Sequence, residues 1–169
     1  MKNIIPIHNN QKIIVCLCNI LLLSLLLSGC GSKKDQELET FQKQLDDFSA
    51  AVLELDSNIN GINPTSDDAV TKLLSYYDTL ETEFENLAAI SVPEEYSDVA
   101  RLSAKASEYM SEAVSYYHTA FESETLDPDI LSLASSYYEK AFEFVNYIGQ
   151  VLMGADITFQ SDTEDSSGN

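Results

Sequence analysis

The sequence predicts an all-α fold, an antiparallel up-down-up-down four-helix bundle that follows a segment removed on export. Three observations lead there. Apolar residues recur at steps of three and four in four separate stretches, the period of an amphipathic helix. Clusters rich in Gly, Pro, Asn and Asp part those stretches. The connections between them are short, and short connections make consecutive helices antiparallel neighbours. With 169 residues and 44% hydrophobic positions, one domain with a real core is expected.

The first helix is expected at about residues 35–59. Its seam reads Leu38, Phe41, Leu45, Phe48, Val52, Leu55, Ile59 and Ile62, and Asn60-Gly61 with Asn63-Pro64 ends it, so that Ile62 falls just past the end. A second helix, about 66–90, opens on Pro64-Thr65-Ser66-Asp67-Asp68, where a hydroxyl cap and early acids suit the positive end of a helix. Its seam is Val70, Leu73, Tyr77, Leu80, Phe84 and Leu87, widened by Leu74 and Ala88.

Ser91-Val92-Pro93-Glu94-Glu95 closes the second helix and starts the third, about 94–123, with proline in the first turn. The third seam alternates small and large residues: Val99, Leu102, Ala106, Tyr109, Ala113, Tyr116 and Ala120. Asp127 as cap and Pro128 in the first helical position start the fourth, about 128–153, whose seam is Leu131, Ala134, Tyr138, Ala141, Val145, Ile148 and Leu152. The bundle thus covers 35–154, and the acidic, pattern-free segment 155–169 is expected to be disordered. Heptad seams do not report how many chains share them. A monomer is expected, with a dimer of helical hairpins as the alternative.

Ahead of the bundle, Ile13 to Leu27 is apolar except for Asn19 and Ser24, with Lys2 and Lys12 before it. The run is shorter than the ~18 to 20 residues of a permanent span, so an export signal fits better. This order of features, closing on Leu27-Ser28-Gly29-Cys30, resembles the lipobox of bacterial lipoproteins. The resemblance implies a signal peptide over 1–29 cut before Cys30, with a diacylglycerol on the Cys30 thiol and a short tether over 30–34. Two acyl chains hold a protein stably where one holds marginally. The protein is then expected on the extracytoplasmic face of the cell membrane. Cys16 and Cys18 leave with the signal and Cys30 is blocked, so no disulfide or thiolate metal site is expected. The composition and the Cys30-Gly31-Ser32-Lys33-Lys34 junction look like small lipoproteins of Gram-positive bacteria.

Charge restricts the partners. Loss of Lys2 and Lys12, with no acid among the first 29 residues, takes the formal net charge from −19 to −21. Nucleic acid is excluded as an expected partner, because phosphate binding needs a basic footprint. An acidic exterior keeps a surface protein soluble, or serves a basic or cationic protein partner. Lys33 and Lys34 suit anionic headgroups. With the first helix leaving the membrane beside Cys30, the first and third connections are expected at the far end, the Pro93 connection near the lipid, and the acidic body upright.

Ser-Tyr-Tyr occurs at Ser75-Tyr76-Tyr77, Ser115-Tyr116-Tyr117 and Ser136-Tyr137-Tyr138. Adjacent helical residues differ by about 100°, so one tyrosine of each pair sits on the seam. The seams assign Tyr77, Tyr116 and Tyr138 there and leave Tyr76, Tyr117 and Tyr137 on the flanks. Ala106, Ala113 and Ala120 fall one heptad apart and admit a close neighbour, as do Ala134 and Ala141. The rings therefore either fill space over alanines or line a cleft between the third and fourth helices. In that cleft Tyr109, Tyr116, Tyr117, Tyr137 and Tyr138 would stack a sugar or other flat molecule.

Little else bears chemistry. His118 falls opposite its seam and lacks the partners of a triad or a histidine metal site; with Glu122 it makes at most a weak surface clip, and an exposed polar role is expected. Glu81 and Glu85 share a face that Glu83 does not. No Ca²⁺ loop, phosphate loop or nucleophile elbow is present. The reading is therefore a lipid-anchored helical module that works through protein interaction, not an enzyme, with no metal and no cofactor; the alternative is a small-ligand binder using the tyrosine cleft.

Overall fold

The computed structural model describes residues 33–155. They form a helical bundle of four α-helices: α1 (Lys33–Asn60), α2 (Ala69–Ala88), α3 (Ser97–Glu122) and α4 (Pro128–Leu152), with a 3-10 turn, Glu94–Tyr96, ahead of α3. There is no strand among the described residues. The apolar run expected to act as an export signal, Cys30 and residues 156–169 lie outside them.

In α1 the seam is buried as its period requires: Phe41, Leu45, Phe48, Val52 and Leu55 face inward, with Leu38 and Ile59 half-buried. Ser49 joins them because its hydroxyl donates to the Leu45 carbonyl at 2.9 Å, which satisfies it without water. The Gly61 amide donates to the Ser57 carbonyl at 3.0 Å, and Ile62 tucks under the end of the helix.

Helix α2 begins at Ala69, later than the sequence indicates, and no side chain caps it. The cause is Asn63. Its Oδ1 accepts from the Thr65 amide at 3.1 Å and the Thr65 hydroxyl at 2.9 Å, while the Ser66 hydroxyl donates to the Asn63 carbonyl at 2.9 Å. Both candidate cap hydroxyls are thus spent on a turn. Asp68 pairs instead with Lys72 at 2.7 Å. The seam is buried as read from Leu73 to Leu87, but its first member differs: Ala69 is buried, whereas Val70, expected inside, is 44% exposed.

Pro93 is buried, and the two acids behind it open the 3-10 turn, not the α-helix itself. The turn serves Tyr96, whose ring stacks on Phe41 of α1 at 5.6 Å and 21°. Helix α3 then runs from Ser97. The start of α4 is as read from the sequence: Asp127 Oδ1 accepts from the amides of Asp129 at 2.9 Å and Ile130 at 3.3 Å, with Pro128 in the first turn.

Consecutive helices pack on one another, and the packing tightens along the chain from α1 with α2, through α2 with α3, to α3 with α4. Side-chain size explains the gradient, since interaxial distance follows the residues at the contact. The α1 face is built of Phe, Leu and Val. By contrast Ala106, Ala113, Ala120, Ala134 and Ala141 are all 0% exposed, and α3 and α4 share the most extensive packing. Phe84 of α2, also fully buried, meets Phe48 of α1 edge-on at 5.2 Å and Phe142 of α4 at 5.3 Å, joining three helices in one core.

Candidate functional site

The tyrosines of α3 and α4 form two sets. Tyr117 is buried and stacks on Tyr77 of α2 at 4.3 Å and 14°, and Tyr138 meets both rings edge-on at 6.2 and 6.4 Å. Tyr138 continues to Phe142 at 4.9 Å, and so to Phe84. Tyr77 and Tyr117 are core, and Tyr138 packs against them half-buried. Burial is the first cause that pushes the Tyr77, Tyr117 and Tyr138 phenols above the ordinary tyrosine range. At Tyr77 the neighbouring phenols of Tyr117 and Tyr138 add to that rise.

The outer set lies along the α3–α4 face. Tyr116 stacks on Tyr137 at 5.5 Å, Tyr137 touches Tyr109 at 6.0 Å, Tyr109 stacks on Phe144 at 5.4 Å, and Phe144 meets Tyr147 edge-on at 5.8 Å. All five rings are half-buried. The Tyr147 hydroxyl donates to Glu143. Lys140 holds its ammonium 5.3 Å from the Tyr109 centroid and 5.9 Å from that of Tyr137.

Two assignments from sequence are therefore corrected. Tyr116 was placed on the seam and Tyr117 on the flank; the structure buries Tyr117 and turns Tyr116 outward. Met110, fully buried, likewise takes the seam place expected of Tyr109. Steps of four after Ala106 and Ala113 reach Met110 and Tyr117, where steps of three reach Tyr109 and Tyr116. The five tyrosines named as a cleft are brought together, but they divide: Tyr109, Tyr116 and Tyr137 line the face, while Tyr117 and Tyr138 join the inner stack.

His118 is not a lone exposed side chain. Its Nε2 lies 2.7 Å from Asp78 Oδ1 of α2 and its Nδ1 lies 2.8 Å from Glu122 Oε1. Hydrogen bonds to Glu122 and then Asp78 hold the imidazole above its ordinary pKa, since the cation donates to both carboxylates at once. The clasp crosses an open groove of about 450 Å³ between α2 and α3, whose lining includes Glu81 and Ser115. Its two carboxylates lie at opposite ends of the ring and do not converge. Among the described residues, no group of three or more His, Cys, Asp or Glu is arranged to hold a metal ion. Glu85 is exposed, apart from this groove.

No helix among the described residues is long and apolar enough to cross a membrane. No family model matches this chain, and neither a curated protein nor a solved structure matches it.

Proposed function

We propose that the chain is a lipid-anchored, extracytoplasmic helical module that acts by binding another protein and not by catalysis. The observation that carries this reading is the junction Leu27-Ser28-Gly29-Cys30, followed almost at once by a helix from Lys33. A folded body that starts so close to a candidate lipid site is a body held at a membrane surface. An up-down-up-down order of the helices fits the ring register: one heptad up α3, from Tyr109 to Tyr116, corresponds to one heptad down α4, from Phe144 to Tyr137. The stack of Tyr96 on Phe41 sets the Pro93 connection beside the first half of α1, in keeping with an upright stance. A monomer suits a core in which Phe84, Leu102, Met110 and Val145 are buried within one chain.

Catalysis has little support in the clasp, because both His118 nitrogens are engaged by carboxylates on a groove open to water. A tyrosine-lined sugar cleft is the lesser reading, because Tyr117 and Tyr138, two of its five rings, pack inward against Tyr77 and do not line the α3–α4 face.

Mass spectrometry of the protein extracted from membranes tests the anchor. The expected species begins at Cys30 and carries two acyl chains, and Cys30→Ala moves the protein off the membrane. A mature protein that retains its first 29 residues would overturn the reading.

A further inference from the structure

The outer ladder joins three features that suit one kind of ligand. Tyr116, Tyr137 and Tyr109 run in contact along the face, each with part of its ring in solvent. Over Tyr109 and Tyr137 stands a cation, the Lys140 ammonium, within the ~6 Å at which a ring face attracts positive charge. Beside the rings stands an anion: Glu112 is exposed and lies three residues after Tyr109 and four before Tyr116, the two spacings that make helical neighbours. Aromatic faces bordered by carboxylate form a surface that binds cations.

Lys140 differs from four other basic side chains of the bundle. Lys43, Lys72, Arg101 and Lys105 each pair with a carboxylate three or four residues away, at 2.5 to 3.2 Å. Lys140 instead reaches across the ladder, as a built-in occupant of the place an incoming cation would take. The chain as a whole, at −19, draws basic partners to it at long range. Between the two basic side chains, the planar guanidinium stacks on rings and forks to a carboxylate, which an ammonium does less well.

We infer that the α3–α4 ladder is the docking surface for an arginine-rich segment of a partner protein. An arginine displaces the Lys140 ammonium, stacks on Tyr109 and Tyr137, and pairs with Glu112, while Tyr116 extends the platform. The inference rests on the reading of the chain as an interaction module and gives that module its surface and the chemistry of its partner.

The test uses the full chain in neutral detergent and two labelled peptides, octa-arginine and octa-lysine, with binding followed by fluorescence anisotropy at physiological salt. Octa-arginine is expected to bind about two- to fivefold tighter than octa-lysine, the range of one exposed cation–π contact. Lys140→Gln should tighten octa-arginine binding by a similar factor, because the rings are vacated. Lys43→Gln, which removes the same charge on α1, should change it by much less. Glu112→Gln should weaken it, and Glu95→Gln should not. Tyr116→Leu should also weaken it; the surface changes at Lys140 and Glu112 keep the test sound if that variant packs poorly. Equal affinity for the two peptides, or equal effects of Lys140→Gln and Lys43→Gln, would mean charge alone and overturn the proposal. So would a Lys140→Gln protein that dimerises through this face and excludes the peptide. Mass spectrometry of Cys30 in the same samples reports separately on the anchor, so a missing lipid and a missing peptide complex remain distinguishable.

Discussion

The inner and outer aromatic sets of α3 and α4 are built from neighbouring residues and do opposite things. Tyr117, buried, and Tyr138, half-buried at the edge of the core, lie against Tyr77, whereas Tyr116 and Tyr137, one position earlier in each case, stack on one another along the α3–α4 face. A rotation of about 100° per residue turns one dipeptide into one core residue and one surface residue. The inner rings meet three helices and pack face and edge against one another. The outer rings meet two helices and leave their rims to solvent. Repeating Ser-Tyr-Tyr is therefore an economical way to give one pair of helices both a packed seam and an aromatic face.

The comparison breaks most severely at Phe84. Phe84→Ala removes the ring that joins Phe48 to Phe142 and should cost about 3–5 kcal/mol in urea unfolding of the full chain. That is a large part of the ~5–15 kcal/mol that holds a domain folded. Next is Ala113→Leu, which forces apart the helices that share the most extensive packing and should cost about 1–3 kcal/mol. If Leu is accepted there without loss, the alanines do not set the α3–α4 distance.

Removing single hydroxyls sharpens the contrast. Tyr117→Phe removes a hydroxyl from the packed stack with Tyr77 and Tyr138 and should cost about 1 kcal/mol. Tyr116→Phe, one residue away, should stay within about 0.5 kcal/mol of the parent. Equal losses would show that the two sets are not distinct.

The smallest effect is at the clasp and depends on pH. The folded pKa of His118 is raised above its unfolded value near 6.5, so its contribution is complete below that pH and is lost as pH rises through the folded value. His118→Gln should therefore destabilise the chain most at about pH 5–6 and least at about pH 9, as read by thermal unfolding at each pH. A difference that grows with pH would contradict the clasp. The effect is modest, because the clasp is partly open to water.

Much of the helical architecture can be read from local pattern, because a step of three or four is a geometric statement about one helix. The seams of α1 and α4 and the Asp127-Pro128 start follow directly from it. What escaped that reading is of two kinds. At Val70, Tyr109 and Tyr116 the choice was between steps of three and four, and the alanines between them fit either phase. Only the neighbours of α3 on both sides, α2 with Tyr77 and α4 with Tyr137, decide which ring turns in. The other kind is long-range. Asp78 and His118 are forty residues apart, and nothing in either stretch announces the partner; the register of α2 against α3 brings them together. The Asn63 turn was legible in principle, since Asn before Pro is a turn former, but the hydroxyls beside it read equally well as caps.

The gradient in helix packing also bears on how the molecule meets force. A pull on the start of the chain loads α1 first, the helix held through large side chains, with Tyr96 clamped on Phe41 near its beginning. The alanine-lined hairpin of α3 and α4 lies at the other end of the load path. Tension from the N-terminal side should thus peel α1 away as one unit while the aromatic face on α3 and α4 stays assembled.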